Sequence, residues 1–332
     1  MRCVPTSILA ALLMGIGAAW PCLMEASPIE HVRIAGKEYA RLSDWAKSNE
    51  FGLRWLKRDE TIELLNSSTR IQLQIHSPEA QPNGVEVRLL FPLVAQGETV
   101  WISQADLNSN FVPVLAPPRL KRGSALRSIC LDPGHGGKDP GNQVGSSQEK
   151  KFALLLALEL QAQLKRAGWQ VTLTRTRDNF IELPTRPEIA RNRKADLFLS
   201  LHFNSIGPSA NSVKGAEVYC LTPAGAPSTN AGGEGGGAGW FAGNRYNDEN
   251  MYLAYQLQKA LTRKVSVEDR GVHRARFWVL RDAVMPAALI EAGFLSHPVE
   301  GHKITSSTYR KQLAGAIVDG LGAYKSAMER RL

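Results

Sequence analysis

Short apolar runs alternate with longer amphipathic stretches from Ala125 to the end of the chain. Residues 128–131 and 196–201 are two of the apolar runs, and residues 149–167 form a strong amphipathic stretch. When strands and helices alternate, the strands form a mainly parallel sheet, because each helix carries the chain back to the edge where the next strand starts. The pattern therefore predicts an α/β domain over residues 125–332, with a twisted, mostly parallel sheet flanked by helices on both faces.

The other elements of this domain follow from the same periodicities. We predict further strands at residues 170–174, 215–221, 277–281 and 287–290, and further helices at residues 187–194, 250–264 and 308–328. Gly168 follows the amphipathic stretch, and a glycine in that place is typical of a helix end. The order of these elements indicates one domain rather than two.

The preceding residues 28–112 have short alternating patterns that predict a small α+β accessory domain. We expect strands at residues 71–75 and 85–91, and a helix at residues 42–48 that Ser43 and Asp44 can cap. A hairpin, this helix and the segment WLKRDETIELL together resemble the small domain at the N-terminus of copper amine oxidases and of many bacterial wall proteins. A linker over residues 113–124 is predicted from its prolines, which are Pro113, Pro117 and Pro118.

Residues 1–27 have the features of an export signal. Arg2 provides a positive start, and residues 8–20 form an apolar run that is too short for a comfortable membrane span. The alternatives are a buried N-terminal helix, or a lipid anchor at Cys22, which follows a poor recognition sequence. We therefore expect an exported protein of the periplasm, or of the extracellular space and cell wall, with no integral membrane span in its mature form.

The net charge of +9 suggests anionic surroundings, which for an exported protein are polymers of the cell envelope. A basic surface that only keeps the protein soluble explains the charge equally well. Nucleic acid is not expected as a partner, because no basic stripe interleaved with aromatic side chains is visible. Cys130 and Cys220 lie in apolar runs, so we interpret them as inert buried thiols, with a disulfide as the alternative.

A turn that carries His135 ends the first apolar run of the α/β domain. The segment is LDPGHGGKDPG, and its glycines leave the backbone open to close approach. In open α/β sheets, ligands bind at the carboxyl ends of the strands, where this turn is expected to lie. His135 is therefore a candidate site residue, whose alternative is an ordinary turn residue.

Two further residues are expected at the same edge. His202 follows the apolar run of residues 196–201, and Glu149 opens the long helix after the first turn. Two imidazoles and one carboxylate are a ligand set of catalytic zinc sites, which leave a fourth position for water. Singly, Glu149 is explained by the helix dipole and His202 as a core histidine, but together with His135 they favour a metal site.

Glu291 follows the apolar run of residues 286–290, so we expect it to emerge at a strand end. A carboxylate there is suited to take a proton from water held by the metal. A general base of this kind typically contributes about 10²–10⁴-fold to the rate.

Several ordered segments resemble the zinc-dependent N-acetylmuramoyl-L-alanine amidases of bacterial cell walls. They are LDPGHGGKDPG, EKKFALLLALEL, TRTRD with LPTR, ADLFLSLHFN and DRGVHRARFWVLRDAVMPAALIEAGFLS. The resemblance covers residue 128 to the C-terminus. It implies that His135, Glu149 and His202 bind one Zn²⁺ and that Glu291 is the catalytic glutamate.

The resemblance also implies a hydrolase that acts on peptidoglycan during wall remodelling or daughter-cell separation. The bond cleaved is the amide between the lactyl group of N-acetylmuramic acid and the L-alanine of the stem peptide. Peptidoglycan is then the expected partner, and an activator protein is allowed for. The alternatives are a zinc peptidase that cuts within the stem peptide and a wall-binding protein without catalysis.

Matching residues outside the ligand set receive secondary roles. Asn204 is expected to hold a hydrogen bond behind the metal ligands, and Arg281 to reach the substrate. Arg186 is expected to pair with an acidic neighbour such as Asp178.

Two features depart from the family pattern. His297 stands where the family usually has asparagine, and we interpret it as a turn or capping residue. Residues 223–247 are rich in glycine, which favours a flexible surface insertion over a lid or docking loop. Such a segment does not favour the firm helix with which some members of the family block their zinc.

Overall fold

The computed structural model describes residues 28–207, 212–230 and 239–330. The predicted export signal, with Cys22, lies outside the described residues, and so do residues 231–238 of the glycine-rich segment. Within the described ranges, no helix combines the length and the apolar character needed to cross a membrane.

Residues 28–115 contain many short strands, as predicted. The strands are β1 (His31–Ile34), β2 (Lys37–Arg41), β3 (Gly52–Lys57), β4 (Thr61–Leu65), β5 (Arg70–Gln74), β6 (Glu79–Pro82), β7 (Val87–Arg88), β8 (Val94–Gln96) and β9 (Thr99–Ser103). The helices are α1 (Leu42–Ser48), α2 (Gln104–Asp106) and α3 (Val112–Leu115), with a π-helical turn at Leu107–Phe111.

Strands and helices then alternate to the end of the described chain. The strands are β10 (Ser128–Pro133), β11 (Gln143–Val144), β12 (Ser147–Gln148), β13 (Gln170–Leu173), β14 (Leu197–Asn204), β15 (Ala216–Leu221), β16 (Asp269–Ala275) and β17 (Ala287–Phe294). The helices are α4 (Glu149–Arg166), α5 (Thr185–Asn192), α6 (Asn247–Val265), α7 (Trp278–Arg281), α8 (Pro298–Thr305) and α9 (Ser307–Met328), with a 3-10 turn at Ala242–Tyr246.

One large sheet organises the molecule. Its eleven strands lie in the order β13-β10-β14-β17-β15-β16-β7-β6-β5-β4-β3. The pairs β10–β13, β10–β14, β14–β17, β15–β16 and β16–β7 are parallel. The pairs β15–β17, β6–β7, β5–β6, β4–β5 and β3–β4 are antiparallel. The predicted α/β class is confirmed, and the sheet as a whole is mixed.

The two faces of this sheet are covered by different helices. Successive residues of a strand point to opposite faces, so Leu199 of β14 packs with α4, α6 and α9 in the main core. Its neighbour Phe198 packs in a second core with Ala190 of α5 and Leu280 of α7. All four side chains are 0% exposed. Burial on both faces explains why β14 has a continuous apolar sequence.

The N-terminal strands join this sheet through β7. Val87 pairs in parallel with Val272 of β16, and the Glu86 N–H donates to Asp269 Oδ2 at 2.9 Å. Val85 and Val87 belong to the main core. A continuous sheet therefore spans both predicted units, and their division into separate domains stays a prediction.

The predicted strand at residues 277–281 is wrong, because these residues contain the helical turn α7. The strand is β16, which precedes it. Its sequence, DRGVHRA, does not look apolar, yet Arg274 is 1% exposed. Arg274 is satisfied by hydrogen bonds to Leu221 O at 3.0 Å and Asn110 Oδ1 at 3.1 Å. A buried arginine interrupts the apolar pattern of a central strand, so such a strand is not recognised from the sequence.

Smaller differences concern helix ends and the linker. The boundaries of α1 are as predicted, but no side chain caps it, and Asp44 instead accepts the Glu30 N–H at 3.1 Å. The helix α3 extends into the predicted linker. Pro113 lies in its first turn, where backbone N–H groups have no partner within the helix, so proline is tolerated there. Cys130 and Cys220 are free and buried, which confirms the predicted thiols.

Candidate metal centre and catalytic cleft

The ends of neighbouring strands bring the predicted site residues together. β10 leads into the turn that carries His135, and β14 next to it carries His202. His202 lies opposite Glu291 in the register of β14 with β17. Glu149 is the first residue of α4, as predicted, and is buried.

His202 and Glu291 do not end their strands, and that prediction is wrong. β14 continues to Asn204 and β17 to Phe294. Backbone pairing continues beyond the apolar runs because it does not depend on side-chain polarity. The register shifts between His202 and Asn204, so the strands are irregular at this point.

The carboxylate of Glu149 lies between the two imidazoles. Its Oε1 is 3.1 Å from His135 Nε2 and 2.8 Å from His202 Nδ1. One ligand atom from each of the three residues lies within 4.8 Å of the others, a spacing that suits a common metal ion. The imidazoles are 23% and 17% exposed, so the centre is open on the side of the histidines while the carboxylate is enclosed.

Each imidazole holds a polar partner on the nitrogen that faces away from Glu149. His135 Nδ1 is 2.8 Å from Asp139 Oδ2, and His202 Nε2 is 3.1 Å from Ser200 Oγ. Histidines that bind metals are usually oriented by such an outer partner. The donor set and these partners therefore fit a Zn²⁺ ion held by the three inner atoms.

Asp139 and Ser200 are functional candidates that the sequence reasoning missed. Asp139 stands four residues after His135 on the same turn, and this spacing was a signal available in the sequence. Ser200 stands two residues before His202 on the same face of β14. Its hydroxyl donates to Asp132 Oδ2 at 2.8 Å, which connects the metal centre to a buried network.

Two arginines hold the backbone of the turn that carries His135. Arg175 donates to Pro133 O at 2.9 Å and to Gly134 O at 2.7 Å. Arg186 donates to His135 O at 2.9 Å. His135 has a φ of 60°, which is uncommon for a residue other than glycine. The two guanidinium groups therefore fix a conformation that the chain does not favour by itself.

The predicted pairing of Arg186 with Asp178 is wrong. Arg186 pairs with Asp132 at 2.9 Å, and Asp178 pairs with Lys150 at 2.8 Å. The difference reflects burial, because Arg186 is 2% exposed and Asp178 is 55% exposed. A buried guanidinium needs a buried carboxylate, and Asp132 at the end of β10 provides it.

Glu291 lies beside the candidate metal centre and is partly exposed, but its Oε2 atom is buried. Its Oε2 has no hydrogen-bond partner among the described residues. Burial raises the pKa of Glu291 well above its ordinary value, and the carboxylates of Glu149 and Glu217 raise it further. A buried acceptor without a protein partner is suited to bind water or a substrate proton.

The pKa of Glu149 is shifted in the opposite direction. Burial raises its pKa, but the hydrogen bonds with His135 and His202 outweigh burial, so the pKa of Glu149 lies well below its ordinary value. The two neighbouring carboxyl groups thus differ in character: the charged form is favoured at Glu149, and the protonated form is favoured at Glu291.

A cavity of about 760 Å³ opens over these groups. Arg281 lines its wall, with its guanidinium 4.2 Å from the ring centre of Phe241 and 4.4 Å from that of Trp278. Within the described part of the chain, Arg281 Nε is buried without a hydrogen-bond partner. Trp278 is 48% exposed and offers an apolar surface beside this cation.

Asn204 and His297 have local backbone roles. Asn204 Oδ1 accepts the Ser205 N–H at 2.8 Å, beyond the histidine that it was expected to orient. His297 precedes α8, and its Nδ1 accepts the Glu300 N–H at 3.1 Å. The interpretation of His297 as a capping residue is confirmed.

Comparison with known proteins gives the cleft a context. The sequence model of the N-acetylmuramoyl-L-alanine amidase family matches residues 129–323. N-acetylmuramoyl-L-alanine amidase AmiC of Neisseria meningitidis is 36% identical over 247 residues, which cover 67% of this chain and 57% of that protein. The probable cell wall amidase LytH of Staphylococcus saprophyticus is 32% identical over 226 residues, which cover 67% of this chain and 63% of that protein.

The chain thus spans less than two thirds of the length of these two relatives. Among solved structures, N-acetylmuramoyl-L-alanine amidase AmiC2 of Nostoc punctiforme is similar, with a TM-score of 0.51 and 32% identity. The similarity covers 61% of this chain and 98% of the Nostoc chain.

Proposed function

Because this chain belongs to the N-acetylmuramoyl-L-alanine amidase family, we propose that it is a zinc hydrolase of peptidoglycan. It cleaves the amide between the lactyl group of N-acetylmuramic acid and the L-alanine of the stem peptide. The observation that carries the proposal is the grouping of His135, Glu149 and His202 beside the carboxylate of Glu291. Both parts of a metal hydrolase, a ligand set and a base, line one cavity.

A zinc ion would be held by His135 Nε2, His202 Nδ1 and a carboxylate oxygen of Glu149. Zn²⁺ in such a site supplies Lewis-acid polarisation of a carbonyl and lowers the pKa of water. Asp139 and Ser200 keep the two imidazoles in the orientation and tautomer that binding requires.

Glu291 is the general base and then the general acid. Its carboxylate takes one proton from the attacking water, whose oxygen forms the new bond to the lactyl carbonyl carbon. The same proton then passes to the nitrogen of L-alanine as the amide bond breaks, and Glu291 returns to its carboxylate form. The second proton of the water stays on the new carboxyl group and then passes to the amine. The products are a free lactyl carboxylate and a stem peptide with an ammonium N-terminus, so atoms and charges balance.

Arg281 contributes to substrate binding by holding an anionic group of the stem peptide. Its guanidinium is fixed between two aromatic rings, and no ion pair to it is present within the described ranges. A cation that is already oriented loses little conformational freedom on binding a carboxylate. Asn204, placed at the end of β14, supports the strand that carries His202.

The remaining parts of the proposal concern location and partners. We expect export to the periplasm, or to the extracellular space and cell wall, through the signal at residues 1–27. The unit at residues 28–112 is proposed as an accessory domain, joined by residues 113–124 to the catalytic domain at residues 125–332. An activator protein, which the resemblance allows for, stays a prediction.

The variant Glu291→Gln tests the proposed reaction. It removes the proton acceptor and leaves the three ligands, so zinc content should stay near one ion per chain while digestion of purified sacculi is lost. Mass spectrometry of the digest identifies the bond cleaved: free glycan strands with intact stems mean an amidase, and shortened stems mean a peptidase. Near-normal turnover by the variant would sink the assignment, and binding without cleavage by the zinc-loaded natural chain would favour a wall-binding protein.

A further inference from the structure

A second cavity, of about 560 Å³, lies between α6 and the strands β5 and β6. We call it the basic cavity. It is lined by Ser68, Arg70, Gln72, Gln81, Asn83, Gly84, Lys259 and Arg263. Apart from the glycine, each lining residue has a polar side chain, and three of them carry a positive charge. No acidic residue is in this lining, so the charge of the wall is entirely positive.

Two of these cations lie on one face of α6. Lys259 and Arg263 are four positions apart in the sequence, so their side chains are neighbours on the helix. Like charges at this spacing destabilise a helix. Among the described residues, neither forms an ion pair. Burial lowers the pKa of Lys259, and the charge of Arg263 lowers it further. An anion placed between them would relieve this repulsion.

The third cation, Arg70, is only partly neutralised. It lies 3.2 Å from Glu63 Oε1, but the same carboxylate also pairs with Arg54 at 2.5 Å. Glu63 lies on the neighbouring strand β4 and is 1% exposed, whereas Arg70 is 58% exposed. Two arginines thus share one carboxylate, which leaves a net positive charge on this wall.

The walls of the basic cavity are held in place by their own hydrogen bonds. Asn83 Oδ1 accepts the Arg70 N–H at 3.0 Å, and Asn83 O accepts from Arg263 at 3.5 Å. The Tyr255 hydroxyl donates to Pro82 O at 3.2 Å, which connects α6 to the end of β6. The walls of the cavity are therefore joined by hydrogen bonds within the protein, and the cavity is preformed.

The basic cavity lies at the same edge of the sheet as Glu291. Glu291 pairs with Glu217 of β15, and the adjacent Ala216 pairs with Asp269 at the start of β16. Asp269 in turn accepts the Glu86 N–H, just after the turn at Asn83. Strands β6 and β5 stand four and five places from β17 in the sheet. At about 4.8 Å per strand, the separation is roughly 20–24 Å.

We propose that the basic cavity binds carboxylates of peptidoglycan stem peptides that lie along the polymer from the bond being cleaved. The cations match the carboxylates, and the polar lining of the cavity, which includes the amide of Gln81, matches the peptide groups between them. This assignment of the ligand rests on the proposed function, which makes peptidoglycan the polymer at the neighbouring cleft. It gives the N-terminal strands a part in holding the substrate.

The test measures binding to insoluble sacculi by co-sedimentation of the full chain. All proteins carry Glu291→Gln so that the polymer is not consumed. Adding Lys259→Gln with Arg263→Gln should weaken binding about 3- to 30-fold at low salt, as expected for two partly exposed ion pairs. The loss should shrink as salt screens these charges.

The control pair is Arg166→Gln with Lys311→Gln, which removes the same charge from exposed positions on α4 and α9. It should bind as the parent does. Thermal unfolding of both proteins checks that they fold. Arg70→Gln is a second variant of the cavity, at an exposed residue outside α6. If the cavity variants sediment like the control pair, the basic cavity does not bind the wall.

Soluble competitors identify the chemistry. Poly-L-glutamate should displace the parent protein from sacculi, and it should displace the cavity variant less effectively. Stronger displacement by polyphosphate at equal charge would mean a phosphate site and overturn the carboxylate assignment. Because binding is measured without turnover, an absence of amidase activity in the natural chain would refute the proposed function and leave the binding result standing.

Discussion

Replacing Arg186 by methionine should destabilise the fold and weaken zinc binding together. Arg186 is 2% exposed, and its partner Asp132 is 0% exposed. The guanidinium donates to Asp132 Oδ1 at 2.9 Å and to the carbonyls of Ile181, Pro133 and His135 at 3.1, 3.0 and 2.9 Å. Methionine has a similar shape, but it leaves the carboxylate buried without its cation. Removing one partner of a buried pair costs about 3–5 kcal/mol.

The effect on zinc follows from the turn. The carbonyl of His135 is held by Arg186, and the φ of 60° at His135 is not one that the residue adopts readily. Without this bond the turn relaxes, and the imidazole loses its fixed direction toward Glu149. Loss of a group that orients a ligand typically lowers metal affinity by about 10–100-fold, and we expect a change in the Kd for zinc within that range.

Two measurements separate these effects. Urea unfolding of the metal-free protein gives the change in free energy of unfolding, and competition with a fluorescent chelator gives the Kd for zinc. Arg191→Met is the matched control, because Arg191 lies on the same helix in an exposed pair with Glu188 at 3.1 Å. Exposed pairs contribute only about 0–1 kcal/mol. If Arg186→Met matched the control in both measurements, the turn would not depend on Arg186, and the reasoning would be refuted.

Three other variants examine separate parts of the cleft. Asp139→Asn should weaken zinc binding about 10-fold, because a neutral amide orients His135 less firmly; an unchanged Kd in chelator competition would contradict this role. Glu217→Gln should move the acidic limb of the pH profile of kcat/KM to lower pH, because Glu291 acts as a carboxylate and loses a negative neighbour that raises its pKa. An acidic limb that stays in place or moves to higher pH would contradict this role of Glu217. Arg281→Gln should raise KM for a muropeptide with a carboxylate on its second residue more than for the matching carboxamide, and equal changes would exclude carboxylate binding.

The grouping of His135, Glu149 and His202 was predictable because it depends on features that a sequence records locally. An apolar run followed by a glycine-rich turn places His135 at a strand end, and a second run of the same kind leads to His202. Parallel pairing then brings both to one edge, whatever the details of the loops. Glu149 followed from the start of an amphipathic helix. None of these steps required knowledge of which strands are adjacent.

The groups that orient the ligands were harder to predict, because they depend on contacts between distant segments. Nothing in the sequence marks Arg175 and Arg186 as buried, since arginine is rarely buried without a partner. Their hydrogen-bond acceptors are mostly backbone carbonyls, which every residue has, so the residue types do not reveal these bonds. The charge of Asp132 makes it a candidate partner for Arg186, but several exposed carboxylates are candidates as well. Asp178, which we predicted, is not the partner. The same difficulty hid β16, whose buried Arg274 breaks the apolar pattern of a central strand.

The glycines of the motif around His135 show how a local sequence can carry such distant information. A Cβ at Gly134 would lie 2.2 Å from His202 Cε1, and one at Gly141 would lie 2.6 Å from Glu149 Oε2. Real Cβ atoms do not approach that closely, so these positions are glycine because the side chains of His202 and Glu149 occupy the space. The sequence reasoning took the glycines as room for a ligand to approach His135. The structure gives them a different cause: they make room for the other two members of the ligand set, and any side chain there would push the three apart.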